Sequence, residues 1–233
     1  MPETLVWRGG CLIAPSLLSF DLCNLARDVE AAEEAGLQAL HVDVIDGHFS
    51  PSMPLGIETI AQLRRRTKLA FDVHVMTARH DYFVDALLDM GVQQLSFHVE
   101  VEAHADRLMD RIRSAGTRVG LALKPGTSLS TLDYLLPKCD TVLLMLINPG
   151  FAGRADEGQV PYAAQKIRDL RARIDACGAP VAIEVDGRVS PDMIRRHAPQ
   201  DVDVFVAGSA CLAKDDRANS LRALAALSRS LAR

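Results

Sequence analysis

The sequence predicts a single (β/α)8 barrel, and three observations lead to that prediction. The chain has 233 residues, which is enough for one large α/β barrel. Short apolar runs alternate with longer amphipathic stretches over its whole length. Eight such runs are candidate strands, at 11–16, 38–44, 69–76, 93–100, 118–124, 140–147, 180–187 and 203–209. Eight strands, each followed by a helix, favour a closed barrel over a doubly wound sheet in so short a chain.

The stretches between the runs have the pattern of helices. Segments 25–36, 82–91 and 220–233 are examples, and Gly36, Gly91 and Gly116 stand where helices would end. No linker or low-complexity tract interrupts the alternation. We therefore expect residues 1–233 to form one domain.

Composition narrows the class of protein. Hydrophobic residues make up 48%, and the net charge of −4 provides no basic field for nucleic acid or anionic membranes. The five cysteines form no CxxC pair, which is typical of reduced thiols. The N-terminus lacks the pattern of a signal peptide, and no apolar run approaches the ~18 residues of a membrane span. These features predict a cytoplasmic enzyme or binding domain.

Ionisable side chains lie at the carboxyl ends of several candidate strands, where this fold places active sites. His41 and Asp43 share one face of the second strand, His74 ends the third, and Asp186 ends the seventh. A lone strand histidine is usually a hydrogen-bonded core residue. Two histidines and two aspartates at one end of a barrel instead favour a divalent metal site for Zn, Mn or Fe(II).

Other polar residues on these strands have structural interpretations. Asp72 and Glu184 lie one layer deeper and are expected to be core partners of a lysine such as Lys124. His98 and Glu100 are expected to form a structural hydrogen bond.

Glycine-containing turns follow the last three strands. They are NPGFAG at 148–153, DGR at 186–188 and AGSA at 207–210. Backbone N–H groups of such turns form a phosphate cradle in this fold, with AGSA opening a short helix. The alternative is that the glycines only make tight turns.

At these residues the sequence resembles the ribulose-phosphate 3-epimerase family over nearly its whole length. The matching blocks are APSLLS, HVDVIDGHFSP, DVHVM, FHVE, GLALKPGT, MLINPGFAG, IEVDG and VAGSA, in family order and spacing. The resemblance implies a ribulose-phosphate-binding barrel, one divalent metal ion (Zn, Fe(II) or Mn), a ketose phosphate substrate and a homo-oligomer.

The resemblance also assigns roles to positions of this chain. It implies that His41, Asp43, His74 and Asp186 are the metal ligands and that Asp43 and Asp186 are the acid and base. The substrate-binding positions that it implies are Ser16, Met76, Met145, Gly150, Phe151, Ala152, Gly153, Gly187, Arg188, Gly208 and Ser209.

The implied reaction converts D-ribulose 5-phosphate to D-xylulose 5-phosphate. One carboxylate removes the C3 proton, a metal stabilises the enediolate, and a carboxylic acid on the other face returns a proton. Both aspartates would touch the metal, so their protonation is coupled.

The chain departs from the usual family pattern at a few positions. Ile45 replaces a methionine, Ala152 and Arg154 alter the GFGGQ turn, and Arg188 replaces a phosphate-binding glycine. The Arg188 side chain is expected either to contact phosphate or to point to solvent. Because GFAG also occurs in the allulose-6-phosphate 3-epimerase branch, that activity is the alternative.

Two further functions compete with epimerisation. A decarboxylase or aldolase on this barrel would need a strand-end lysine, for which Lys124 is the candidate. A non-catalytic sugar-phosphate binder would not need two carboxylates around a metal.

Overall fold

All strands in the described part of the chain run parallel in one sheet. The structure is a computed structural model that describes residues 11–198, 200–213 and 215–231. The strands are β1 (Leu12–Pro15), β2 (Ala39–Ile45), β3 (Ala70–Met76), β4 (Gln94–His98), β5 (Arg118–Leu123), β6 (Thr141–Met145), β7 (Ala182–Asp186) and β8 (Val204–Ala207). Their buried Val, Ile, Leu and Phe residues are typical of parallel strands covered on both faces.

The sheet closes into a barrel. Strands β2 to β8 pair in sequence order, and β8 pairs with β1, where Leu12 lies opposite Val204. A single parallel bridge between Ser16 and His41 joins β1 to β2. The predicted (β/α)8 barrel is confirmed.

The helices surround this barrel. They are α1 (Leu25–Glu34), α2 (Ile57–Arg64), α3 (Asp81–Asp89), α4 (Ala105–Ser114), α5 (Ala163–Cys177), α6 (Pro191–His197) and α7 (Arg217–Leu231). Gly36, Gly91 and Gly116 follow α1, α3 and α4 with φ of 83°, 69° and 80°, as expected for C-cap glycines.

The expectation of a helix after every strand is wrong at β5. Two 3₁₀ helices, Leu129–Leu132 and Leu136–Lys138, connect β5 to β6 instead. The Ser128 hydroxyl accepts a hydrogen bond from the backbone N–H of Ser130, which favours a tight turn. Pro137 adds a residue that cannot donate a backbone hydrogen bond. The segment is therefore a poor α-helix former.

The two faces of the barrel have different cores. Outward residues such as Leu40, Val42 and Phe71 join the large apolar cluster packed under the helices. Several inward residues near the strand starts are small, such as Ala39, Ala70 and Ala182. Above them the interior becomes polar, and this polar layer contains the site.

Some expectations concern parts of the chain outside this description. Residues 1–10, which carry the signal-peptide expectation and belong to the expected 1–233 domain, and residues 232–233, which end the predicted last helix, lie outside the described residues. Within the described ranges, none of the helices combines the length and the apolar character needed to cross a bilayer. All five cysteines lie in these ranges and are free thiols.

Gly120 tests the close packing of the barrel interior. A Cβ at this position would lie 1.9 Å from the Ser96 Oγ and 3.0 Å from the Ser96 Cα. We expect Gly120→Ala to lower the free energy of unfolding by ~1–3 kcal/mol because of this overlap, measured by denaturant titration. Gly126→Ala is the control, since no atom lies within 4 Å of its Cβ position. Equal stability of the two variants would contradict the prediction.

Candidate metal centre and substrate site

The four predicted metal ligands lie together at the carboxyl end of the barrel. Strand β2 supplies His41 and Asp43, β3 supplies His74, and β7 supplies Asp186. One ligand atom from each residue lies within 4.8 Å of the others. Both histidines are fully buried, and Asp43 is nearly so.

Two imidazole nitrogens in this group are orphaned. His41 Nε2 and His74 Nδ1 are buried and have no hydrogen-bond partner among the described residues. Each nitrogen lies 3.4 Å from the same oxygen, Asp43 Oδ1. Buried polar atoms without partners are costly, and a cation between these atoms would satisfy them. Two imidazoles and two carboxylates suit Zn, Mn or Fe(II), so the residues fit a divalent metal.

The other nitrogen of each histidine is held by a neighbour. His41 Nδ1 lies 2.9 Å from Asp72 Oδ2 and 3.3 Å from Glu184 Oε1. His74 Nε2 lies 2.9 Å from His98 Nε2. Such partners orient metal-ligating histidines and set their tautomers.

The expected lysine partner of Asp72 and Glu184 is wrong. Gln94 bridges them instead, with its Nε2 donating to Asp72 Oδ1 at 2.9 Å and to Glu184 Oε2 at 3.1 Å. Lys124 Nζ lies 4.3 Å from the centre of the Phe49 ring. Burial and the Asp72 charge raise the pKa of Glu184 well above its ordinary value.

The two candidate acid/base carboxyl groups have opposite pKa shifts. Burial alone would raise the pKa of Asp43, but His41 and His74 hold it well below its usual range. Burial and the negative charge of Asp43 raise the pKa of Asp186 to about 6. One carboxyl group is thus poised as an anion beside another that holds a proton more readily, a pattern typical of acid/base pairs.

Three predicted substrate-binding residues lie at the same end of the barrel as this group. The Ser16 hydroxyl donates a hydrogen bond to Asp43 Oδ2 at 3.0 Å. Met76 ends β3, and Met145 ends β6 in register with Asp186. Both methionines are buried at the same end of the barrel.

The three glycine-containing turns follow neighbouring strands. Gly150–Gly153 follows β6, Gly187–Arg188 follows β7, and Gly208–Ser209 follows β8. Gly187 has φ of 116°, and a Cβ there would lie 2.9 Å from the Ile147 backbone nitrogen. Glycine is therefore required at this turn.

The short helix expected at AGSA is wrong. Residues 209–211 form a turn in which the Cys211 N–H donates to the Gly208 carbonyl at 2.9 Å. In the described part of this segment, a turn rather than a helix thus follows β8.

The Arg188 side chain contacts the loop after β6 instead of extending into solvent, and its contact with phosphate stays a prediction. Its Nη2 donates to the Arg154 carbonyl at 2.6 Å, and its Nε donates to the Glu157 carbonyl at 3.2 Å. Its φ of 54° is unusual for a residue with a side chain. The guanidinium therefore connects the turn after β7 to the loop after β6.

A cavity of about 310 Å³ opens at the same end of the barrel. It lies between the loops after β2, β5 and β6. Its lining residues are Phe49, Lys124, Asn148, Pro149, Phe151, Arg154 and Glu157.

Sequence reasoning missed several contacts at this site. Gln94 received no role, although it shares an inward face with Ser96 and His98 at period two. The expected bond between His98 Nδ1 and Glu100 Oε2 is present at 2.9 Å. The contact from His98 to His74 was not expected. It depends on the register between β3 and β4, and the residue pattern of one strand carries no information about that register.

Comparison with known proteins identifies the family. Residues 12–212 match the model of the "Ribulose-phosphate 3 epimerase family". The ribulose-phosphate 3-epimerase of Escherichia coli K12 is 39% identical over 206 residues, covering 88% of this chain and 90% of that protein. The Rhodobacter capsulatus ribulose-phosphate 3-epimerase is 40% identical over 197 residues, covering 84% of each chain.

Solved structures share the fold at low identity. A tryptophan synthase structure from Mycobacterium tuberculosis superposes with a TM-score of 0.68 at 16% identity, covering 97% of this chain and 93% of that one. That likeness concerns the barrel alone. The sequence relatives and the family match show that this protein is an isomerase, a ketose-phosphate 3-epimerase, and that the chain belongs to the ribulose-phosphate 3-epimerase family.

Proposed function

We propose that this protein interconverts D-ribulose 5-phosphate and D-xylulose 5-phosphate with one bound divalent cation. The observation that carries the proposal is the group of His41, Asp43, His74 and Asp186, of which the first three are buried and whose ligand atoms lie within 4.8 Å of one another. The names of the sequence relatives support the pentulose phosphate as substrate.

Asp43 and Asp186 exchange the C3 proton in this proposal. Ionised Asp43 removes the proton, which is acidic because C3 lies beside a carbonyl, and protonated Asp186 returns one to the opposite face. The strands that carry them, β2 and β7, are separated by β1 and β8 around the barrel, so the two carboxyl groups approach from different directions. The reverse reaction exchanges their roles.

A divalent cation, when bound, would supply electrostatic stabilisation for the negative charge that develops on the substrate oxygens. His41, Asp43, His74 and Asp186 would hold it, and Zn, Fe(II) and Mn suit this set of ligands. Ser16 orients Asp43 through its hydroxyl hydrogen bond.

The substrate phosphate binds, in this proposal, at the turns after β6, β7 and β8. These strands are adjacent in the sheet, so backbone N–H groups of their turns can face one phosphate. Met76 and Met145 provide an apolar wall near the reacting carbon. The proposal includes the cytoplasmic location and the homo-oligomeric state that the family resemblance implies.

Deuterium exchange tests the reaction and the substrate. In heavy water with Zn, Mn or Fe(II), we expect deuterium at C3 of ribulose 5-phosphate together with xylulose 5-phosphate, followed by NMR. We expect kcat/KM for ribulose 5-phosphate to exceed that for allulose 6-phosphate. We expect a chelator to abolish the activity on both substrates. A preference for allulose 6-phosphate would support the hexulose branch. Binding without exchange would support a non-catalytic binder.

Single carboxamide substitutions test the two-base mechanism. We expect Asp43→Asn and Asp186→Asn each to lower kcat by ~10²–10⁴-fold, because each removes one proton-transfer group. Each variant should also exchange the C3 proton of one epimer faster than that of the other. Asp169→Asn on exposed α5 is the control. The metal content of every variant is measured alongside. A wild-type kcat in both Asp43→Asn and Asp186→Asn would refute the mechanism.

Arg188 variants distinguish a loop contact from a phosphate contact. We expect Arg188→Gly and Arg188→Lys both to raise KM for ribulose 5-phosphate. Glycine has no side-chain donor, and the single ammonium nitrogen of lysine lacks the two separated donors, Nε and Nη2, with which Arg188 reaches the Glu157 and Arg154 carbonyls. Amide hydrogen exchange in residues 151–158 should accelerate in both variants. If Arg188→Lys behaves as wild type while Arg188→Gly does not, the positive charge rather than the loop contact is what matters.

A further inference from the structure

His98 lies next to the metal ligands without being one of them. It ends β4, is fully buried, and faces the barrel interior. Its Nε2 lies 2.9 Å from His74 Nε2, and its Nδ1 lies 2.9 Å from Glu100 Oε2. The ring centroid of Phe49 lies 4.7 Å from that of His98 and limits its rotation.

The contacts of Glu100 define the direction of this chain of hydrogen bonds. Its Oε1 accepts a hydrogen bond from the Lys124 backbone N–H at 2.7 Å and another from the Thr127 hydroxyl. A carboxylate can only accept. Its remaining oxygen, Oε2, therefore requires a proton on His98 Nδ1.

The tautomer of His98 then determines that of His74. With its proton on Nδ1, neutral His98 presents a lone pair at Nε2. That lone pair accepts a proton carried by His74 Nε2. His74 must then have a lone pair at Nδ1, the orphaned atom that lies 3.4 Å from Asp43 Oδ1.

We propose that Glu100 and His98 are positioning residues, which hold His74 in the tautomer whose Nδ1 lone pair faces the cation site. This series of hydrogen bonds runs from the loop after β5 through Glu100 and His98 to His74. The inference rests on the proposed function, since it concerns the affinity of the proposed metal site. Removal of partners that orient metal ligands typically weakens binding ~10–100-fold.

Glu100→Gln is the sharpest test. The amide can take two orientations. If its NH₂ faces His98, the proton of His98 moves to Nε2, and two N–H groups then face each other between His98 and His74. If its NH₂ faces the other way, it meets the backbone N–H of Lys124, and two donors again face each other. We expect the Kd for Zn²⁺, measured by competition with a chromophoric chelator, to rise ~10–100-fold.

Glu102→Gln is the matched control. Glu102 Oε2 lies 3.1 Å from Nδ1 of His80, which is also buried, and its Oε1 accepts a hydrogen bond from the His104 N–H at 2.8 Å. No contact of this pair with the metal ligands is seen in the described residues. We expect Glu102→Gln to bind Zn²⁺ as the wild type does, whatever its melting temperature.

His98 variants provide an independent comparison. His98→Leu leaves the His74 N–H without an acceptor, whereas the amide oxygen of His98→Gln can accept it. We expect His98→Gln to bind Zn²⁺ more tightly than His98→Leu does. In protein labelled with ¹⁵N-histidine, we expect the His98 proton on Nδ1, and a proton on Nε2 instead would overturn the inference even if the variants fail to fold.

The remaining outcomes separate this inference from the proposed function. If the wild type binds one Zn²⁺ that His74→Ala loses, and Glu100→Gln binds it equally well, the inference fails while the metal site stands. Equal weakening in Glu100→Gln and Glu102→Gln would also overturn it, because the effect would then be general destabilisation. If the wild type binds none of Zn²⁺, Mn²⁺ and Fe²⁺, the metal-dependent function and this inference both fail.

Discussion

Burial of ionisable groups inside a closed barrel is the constraint on which the rest of the site depends. The inward faces of β2, β3, β4 and β7 carry histidines, carboxyl groups and an amide that have no access to water. These residues are His41, Asp72, His74, Gln94, His98 and Glu184. Each would cost several kcal/mol if left alone in such a place. The interior is therefore arranged as hydrogen-bonded pairs, and protons occupy the positions that those pairs require.

The two ring nitrogens of each ligand histidine therefore have different neighbours. One nitrogen contacts a buried partner, which is Asp72 and Glu184 for His41 and His98 for His74. The other nitrogen faces Asp43. The partners of the first nitrogens are thus as much a part of the site as the ligands. They connect its chemistry to the loop after β5, which lies far from the ligands in sequence.

The sequence was sufficient for the fold and the principal cluster because both depend on local regularities. Period-two alternation placed His41 and Asp43 on the same face of one strand, and a barrel brings the end of that strand close to the strand end that carries His74. The missed contacts are lateral ones. Gln94 bridges two carboxyl groups on different strands, and the Arg188 side chain turns back to the loop after β6. Their geometry follows from strand register and loop paths, which no single segment encodes.

The way in which the sheet closes at β1 has a consequence for biosynthesis. The first strand pairs along its length with the last, and only one bridge joins it to the second. On a ribosome, β1 therefore emerges before the strand that it pairs with along its length, and that edge stays unpaired until β8 has been made. The long-range ion pair between Asp28 of α1 and Arg217 of α7 forms equally late. Nascent chains of this enzyme thus carry an exposed strand edge until β8 has been synthesised.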